Sequence, residues 1–156
     1  MELITDRLKL VPCSEESVLK YVCCTSDVTN NIKKCLDKIN AGGKCVNSQT
    51  WLLIEKSEGT LIGDIGLAGC VETEATVEMQ FEILSYARNK GYAVEAMQEL
   101  FNWIFTFGGV KVVVTDCRVE DIYTEMILET LGMELVKEDS DSTRFKLKIE
   151  SRQEVR

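Results

Sequence analysis

Arg88-Asn89-Lys90-Gly91-Tyr92-Ala93 joins two stretches of different periodicity, and its reading decides the fold. Upstream, residues 76–84 alternate: Val77, Met79, Phe81 and Ile83 fall on one face and Glu78, Gln80 and Glu82 on the other, the period of a half-buried strand. Downstream, over residues 91–107, Glu95, Gln98, Glu99, Asn102 and Thr106 share one helical stripe, while Val94, Met97, Leu100, Phe101, Ile104 and Phe105 cover the rest. So wide an apolar arc predicts a helix packed on a sheet. Arg88 and Lys90 then stand beside a helix amino terminus, where unpaired N–H groups already make the potential positive and a bare cation is disfavoured. An anion bound there removes the conflict, and Gly91 lets backbone approach it without a Cβ in the way. The competing reading is a solvated basic loop, and the flanks must decide.

Gly108-Gly109 ends the long helix, and the β-branched run over residues 110–117 suits the middle of a sheet. Strand, crossover helix and strand make a βαβ unit, so these two strands are parallel neighbours. Asp121 caps a further helix over residues 122–131, closed by Gly132, and strands over 133–138 and 144–149 flank an Asp/Ser-rich turn. Toward the amino terminus, residues 3–11 read as one strand, with Ile4, Leu8 and Leu10 on one side and Arg7, Lys9 and Val11 on the other, stopped by Pro12. Ser14 caps a helix running to about Cys23, and Ser26-Asp27 caps a second carrying Val28, Ile32, Leu36 and Ile39, ended by Ala41-Gly42-Gly43. Residues 51–55 and 61–67 form a hairpin around Ser57-Glu58-Gly59-Thr60. The expected fold is α/β (an α+β mixed sheet). It forms a single domain over residues 1–150, with about seven strands, about four helices and a charged tail over residues 151–156.

Composition narrows the chemistry. The chain has 156 residues, 45% of them hydrophobic, and a single proline, which places it among globular proteins with a real core. No apolar run approaches a membrane span and no signal-peptide pattern opens the chain, so a cytoplasmic protein without membrane contact is expected. Seven cysteines without a C-x-x-C pair, and no histidine, argue against a metal site or a disulfide framework. The absence of histidine also removes every Ser-His or Cys-His nucleophile. A net charge of −8 disfavours nucleic acid as a partner and favours a cationic one.

With these elements in this order, Arg88 to Ala93 resembles the pyrophosphate signature (Gln/Arg)-x-x-Gly-x-(Gly/Ala) of the GNAT superfamily of N-acetyltransferases, in the family's place between its fourth strand and third helix. Thr5-Asp6-Arg7-Leu8-Lys9-Leu10, Ile62-Gly63-Asp64-Ile65-Gly66-Leu67 and Cys117-Arg118-Val119-Glu120-Asp121 are similar to the branch containing the ribosomal-protein N-terminal acetyltransferases. The resemblance covers nearly the whole chain. It implies acetyl-CoA as donor, its pyrophosphate on the backbone amides of residues 88–93. It also implies a pantetheine arm paired like an extra strand with backbone near Ile83, Leu84 and Ser85. The acceptor would be a primary amine of a small molecule or a protein amino terminus.

Direct transfer to an amine needs a proton acceptor, because a free alkylamine is mostly protonated at neutral pH. By resemblance, Glu78 corresponds to a catalytic glutamate in one set of members and Asp116 to a glutamate base in another, while Glu82 shares a face with Glu78. The family's Asn-x-x-Ala/Ser-x-x-x-Tyr pattern reads Asp121-x-x-Thr124-x-x-x-Leu128 here, so the usual tyrosine acid is replaced by a residue that cannot donate a proton. Thr124, one turn earlier on the same face, is the substitute. Tyr123 lies about 100° away around the helix. Asp121 keeps the cap but lacks the amide donor of a family cofactor contact. A non-catalytic acyl-CoA-binding module with a sensing or scaffolding role is the alternative, motivated by Leu128 and Asp121. A phosphotransferase is remote, because the turn lacks a G-K-[ST] ending.

Overall fold

The computed structural model describes residues 2–22, 32–33, 37, 48–69, 75–107 and 109–148. These residues form one sheet of eight strands: β1 Leu3–Ile4, β2 Leu8–Pro12, β3 Ser48–Glu55, β4 Thr60–Gly69, β5 Thr76–Ile83, β6 Val112–Arg118, β7 Glu134–Glu138 and β8 Ser142–Lys148. Among them run three α-helices: α1 Glu15–Tyr21, α2 Tyr92–Phe107 and α3 Ile122–Thr130. In the sheet order β1-β2-β3-β4-β5-β6-β8-β7, β5 and β6 are parallel and every other neighbouring pair is antiparallel. The parallel βαβ unit at the centre is the one the periodicities predict.

Two expectations need correction. The stretch over residues 3–11 is not one strand but a tight hairpin, with Leu3 opposite Leu10, which raises the strand number from about seven to eight. Thr5 is the cause: its backbone N–H donates to Leu8 O at 2.9 Å and its hydroxyl accepts from Leu8 N–H at 2.9 Å, so the chain reverses there. Leu3 therefore faces the core and Ile4 is 56% exposed, the opposite of the alternation read from the sequence. The described residues hold three helices against the four expected. The second expected helix, carrying Val28, Leu36 and Ile39, and the Ala41-Gly42-Gly43 end fall almost wholly outside the described residues.

Local chemistry accounts for the helix ends. Ser14 and Ser17 form a reciprocal capping box, with Glu15 and Glu16 in the favourable first turn of α1. Gly132, at φ +82°, follows α3 in the left-handed conformation that ends helices. The core is divided by the sheet. On one face Trp51, Met79, Val113 and Phe145 meet Met97 and Phe101 of α2 and Leu128 of α3. On the other, Val11, Leu52, Ile54 and Leu61 pack against Val18 of α1.

One glycine sets the spacing of the central strands. Gly63 on β4 lies opposite Ile83 on β5, and a Cβ there would come within 2.3 Å of Glu82 O. Only a residue without a side chain allows that approach.

Candidate functional site

β5 and β6 are joined for only part of their length. Thr76, Val77 and Glu78 pair with Val112, Val113 and Val114; beyond them both strands continue, to Ile83 and Arg118, without pairing each other. The wedge between them is a cleft of about 380 Å³, bordered by Phe81, Ile83, Thr115, Cys117 and, from the α3 side, Tyr123 and Thr124. Side-chain donors meet its β5 edge at two carbonyls. Thr115 Oγ1 donates to Met79 O at 2.8 Å just past the last pair, and Arg88 Nε donates to Ile83 O at 3.0 Å at the far end. Strand alternation puts the backbone groups of Phe81, between them, on the same side. Leu84 behaves differently: its N–H donates to Ile62 O at 2.8 Å on the β4 side, and its side chain is buried in the α1 core. Ser85 opens a single 3-10 turn, Ser85–Ala87, and is exposed.

That turn leads into the basic segment. Asn89 and Gly91 both have positive φ, +65° and +80°. The first backbone bond of α2 runs from Glu95 N–H to Gly91 O at 3.1 Å, which leaves the N–H groups of Tyr92, Ala93 and Val94 outside the helical ladder. Arg88 and Lys90 are exposed beside them, and Ala93 is buried against the core. A second, more apolar groove of about 200 Å³ runs between Asn89, Gly91 and Val94 on one side and Met126 and Ile127 on the other. Tyr123 borders both cavities. The Arg88 guanidinium lies 5.5 Å from its ring centroid. Burial raises the Tyr123 phenol above its ordinary value against the opposing pull of the Asn89 N–H and Arg88, so the hydroxyl keeps its proton at neutral pH.

The carboxylates converge on a residue that the sequence reading missed. Arg144 on β8 is the direct cross-strand neighbour of Asp116 on β6. Its Nη1 lies 2.9 and 3.0 Å from the two Asp116 oxygens, and its Nη2 lies 3.3 Å from Glu78 Oε1. Burial opposes the charge of Arg144, but the hydrogen bonds it donates to Asp116 and Glu78, and the negative charge of both carboxylates, prevail and raise its pKa further. Glu78 stands at the last β5–β6 pair, the apex of the wedge, while Asp116 borders the cleft. Glu82 is exposed on the same face of β5, opposite Asp64. Alternation of buried Thr143, Phe145 and Leu147 signals that Arg144 points away from the core. Its nearness to Asp116 and Glu78 depends on β8 entering the sheet between β6 and β7, which no local pattern encodes.

On α3, Asp121 caps as its position suggests, accepting from Thr124 N–H at 3.1 Å. Its other oxygen accepts from the Thr124 hydroxyl at 2.7 Å. Leu128 is fully buried. Cys117 Sγ donates to backbone carbonyls, and burial, with Asp121 and Glu125 adding, pushes its thiol up to about 11. Among the described residues no cluster of metal-ligating side chains occurs, and no helix is long and apolar enough to cross a membrane.

The arrangement suits one elongated anionic ligand. Free helical N–H groups and two cations can hold a pyrophosphate, a glycine lets it approach, and an open strand edge leads from there to a charged cluster. Comparison with known proteins finds relatives in sequence and in fold. The curated N-acetyltransferase YjdG of Bacillus subtilis, itself uncharacterized, is 30% identical over 93 residues, 60% of this chain; those residues span about half of YjdG, 54%. A GNAT-family acetyltransferase of Bacillus anthracis has the same fold, with a TM-score of 0.72 at 20% identity, covering 96% of this chain and 99% of that one. So do the ribosomal-protein acetyltransferase RimL in complex with coenzyme A (TM-score 0.74, 12% identity, 97% and 99% covered) and the spermidine N-acetyltransferase of Vibrio cholerae with coenzyme A and spermine (0.71, 14%, 96% and 99%). The model of the acetyltransferase (GNAT) domain family matches residues 5–134, most of the chain including the turn, the wedge and α3, and the chain belongs to that family.

Proposed function

We propose that this protein is an acetyl-CoA-dependent N-acetyltransferase that passes the acetyl group directly to a primary amine. The observation that carries the reading is the unpaired wedge between β5 and β6, which connects the bare amino terminus of α2 to the Glu78, Arg144 and Asp116 cluster. The amides of residues 91–93, with Arg88 and Lys90, hold the pyrophosphate. The pantetheine arm lies along the β5 edge at Phe81 and Ile83, and the thioester reaches the apex.

Glu78 is the stronger candidate for the base. Asp116 is engaged by Arg144 through both oxygens, whereas Glu78 makes one longer contact and its side chain is 53% exposed. A carboxylate with a free oxygen at the apex can take the amine proton directly or through one water. Thr124 has its hydroxyl proton committed to Asp121, so Tyr123, protonated and bordering the cleft, is favoured as donor to the departing thiolate.

The acceptor enters from the face bearing Glu78, Gln80, Glu82 and Asp116, all exposed, and acidic groups there favour a cationic amine. Spermidine and protein amino termini are the acceptors named for two fold relatives, and both fit that preference. The test is CoA release from acetyl-CoA across a panel of polyamines, aminoglycosides and amino-terminal peptides. Turnover with one amine class supports the enzyme. Tight acetyl-CoA binding without turnover on any amine supports a non-catalytic acyl-CoA-binding module instead.

A further inference from the structure

The Thr5-Asp6-Arg7 turn takes no part in the reaction described above, yet it is bound to the turn that does. Arg7 Nε donates to Glu95 Oε1 at 2.8 Å, and the Arg7 backbone N–H donates to Glu95 Oε2 at 2.9 Å. The Thr5 hydroxyl donates to the same Oε2. The guanidinium lies 4.4 Å from the centroid of the Tyr92 ring, and its Nη1 donates to Lys90 O at 2.8 Å. Those contacts bridge 83 to 90 residues of sequence and fasten the β1–β2 hairpin to the first turn of α2.

The bond to Lys90 O has a geometric consequence. Lys90 C=O and Gly91 N–H belong to one planar trans peptide and point in opposite directions. A donor gripping Lys90 O from the hairpin side therefore aims Gly91 N–H away from the hairpin, out of the turn. This peptide lies next to Gly91 at φ +80° and one residue after Asn89 at φ +65°. Glycine meets little resistance to adopting either sign of φ, so such a unit is free to flip unless something holds its oxygen. Arg7 does, while Glu95 and Tyr92 hold Arg7.

We propose that Arg7 is a positioning residue for acetyl-CoA: it presets the Lys90–Gly91 peptide so that the amides of the turn face the pyrophosphate. The effect is one of geometry rather than net charge, because Glu95 already neutralises Arg7 in a close ion pair of 2.8 Å. A lysine at the same place can reach Lys90 O or Glu95 but cannot fork between them. The inference rests on the reading that this turn binds the pyrophosphate of acetyl-CoA.

The test compares wild type, Arg7→Gln and Arg7→Lys for affinity to two ligands. Acetyl-CoA is read by calorimetry; S-acetylpantetheine, which keeps the thioester and arm but has no phosphate, is read by NMR titration. Arg7→Gln is expected to lose about tenfold in acetyl-CoA affinity, the effect of disordering one charge-assisted contact set, and to keep S-acetylpantetheine affinity within about twofold. Arg7→Lys is expected to stay near Arg7→Gln. Equal losses for both ligands would mean a loosened fold and overturn the proposal, as would full rescue by lysine, which would assign the effect to charge. If wild type binds acetyl-CoA and Arg7→Gln matches it, Arg7 alone is misassigned; if wild type does not bind acetyl-CoA, the pyrophosphate reading fails and takes this inference with it.

Discussion

Arg144 holds Asp116 by both carboxylate oxygens, at 2.9 and 3.0 Å, and reaches the neighbouring Glu78 through a single contact of 3.3 Å. The asymmetry separates two carboxylates that otherwise compete for one role. Glu78→Gln should lower turnover at neutral pH by about a hundredfold or more, the usual weight of a general base, and recover as pH rises toward the pKa of the amine. Asp116→Asn should cost less than about tenfold, since its oxygens are already engaged. A pH-rate series on both variants checks this. Should the recovery with pH appear in Asp116→Asn and not in Glu78→Gln, the assignments exchange.

The proton donor is tested on α3. Thr124→Val removes the 2.7 Å bond to Asp121 and should destabilise the helix start by about 1 kcal/mol while leaving turnover near wild type. Tyr123→Phe should leave the fold intact and slow acetyl transfer by about tenfold or more. Single-turnover release of CoA, followed with a thiol reagent, reads both. A slow Thr124→Val beside a normal Tyr123→Phe would return the role to the threonine.

Glu95 makes the hairpin contact dependent on pH. Burial works against its charge, but hydrogen bonds from Thr5 and Arg7 outweigh burial and hold the carboxyl below its ordinary 4.5. A carboxyl lowered on folding contributes stability that is fully present above 4.5 and is lost as pH falls through the lower folded value. Glu95→Gln should therefore be less stable than wild type at pH 7, by about 2 kcal/mol on the scale of hydrogen bonds to charged groups. The gap should close on acidification below 4.5. Thermal melts of both proteins over that range decide it.

Gly63→Ala should damage the cleft from outside it. Its Cβ would sit 2.3 Å from Glu82 O, so β5 must shift near Ile83, which borders the cleft. Overpacking of this kind costs about 1–3 kcal/mol, and the displaced edge should also weaken acetyl-CoA binding. Denaturant midpoints and calorimetry should move together; an unchanged affinity would free the β5 edge from any role in binding.

What could be read in the sequence was whatever depends on local periodicity and turn chemistry. The alternation ending at Ile83, the wide apolar arc of α2 and the Asp121 cap all leave marks within a few residues of themselves. The βαβ connection follows from them. The β1–β2 hairpin was missed because Thr5 reverses the chain with its own hydroxyl, without the glycine or proline that usually marks a turn, while the apolar alternation runs on through it. Arg144 was missed for a different reason. It meets Asp116 and Glu78 across 28 and 66 residues, and only the placement of β8 between β6 and β7 brings them together. The commitment of Thr124 to Asp121 was likewise hidden, since helical spacing gives the neighbours and not the direction of a hydroxyl proton.

The central claim is that the turn at Gly91 receives the pyrophosphate of acetyl-CoA, and calorimetric titration of wild type and Gly91→Glu with acetyl-CoA tests it most directly. At φ +80° a glutamate would be strained and would set a carboxylate against the phosphates at the amino terminus of α2. The account predicts saturable binding to wild type and a loss of at least about tenfold in Gly91→Glu with the cooperative melt retained. No binding to wild type, or equal affinity in a folded Gly91→Glu, would contradict it.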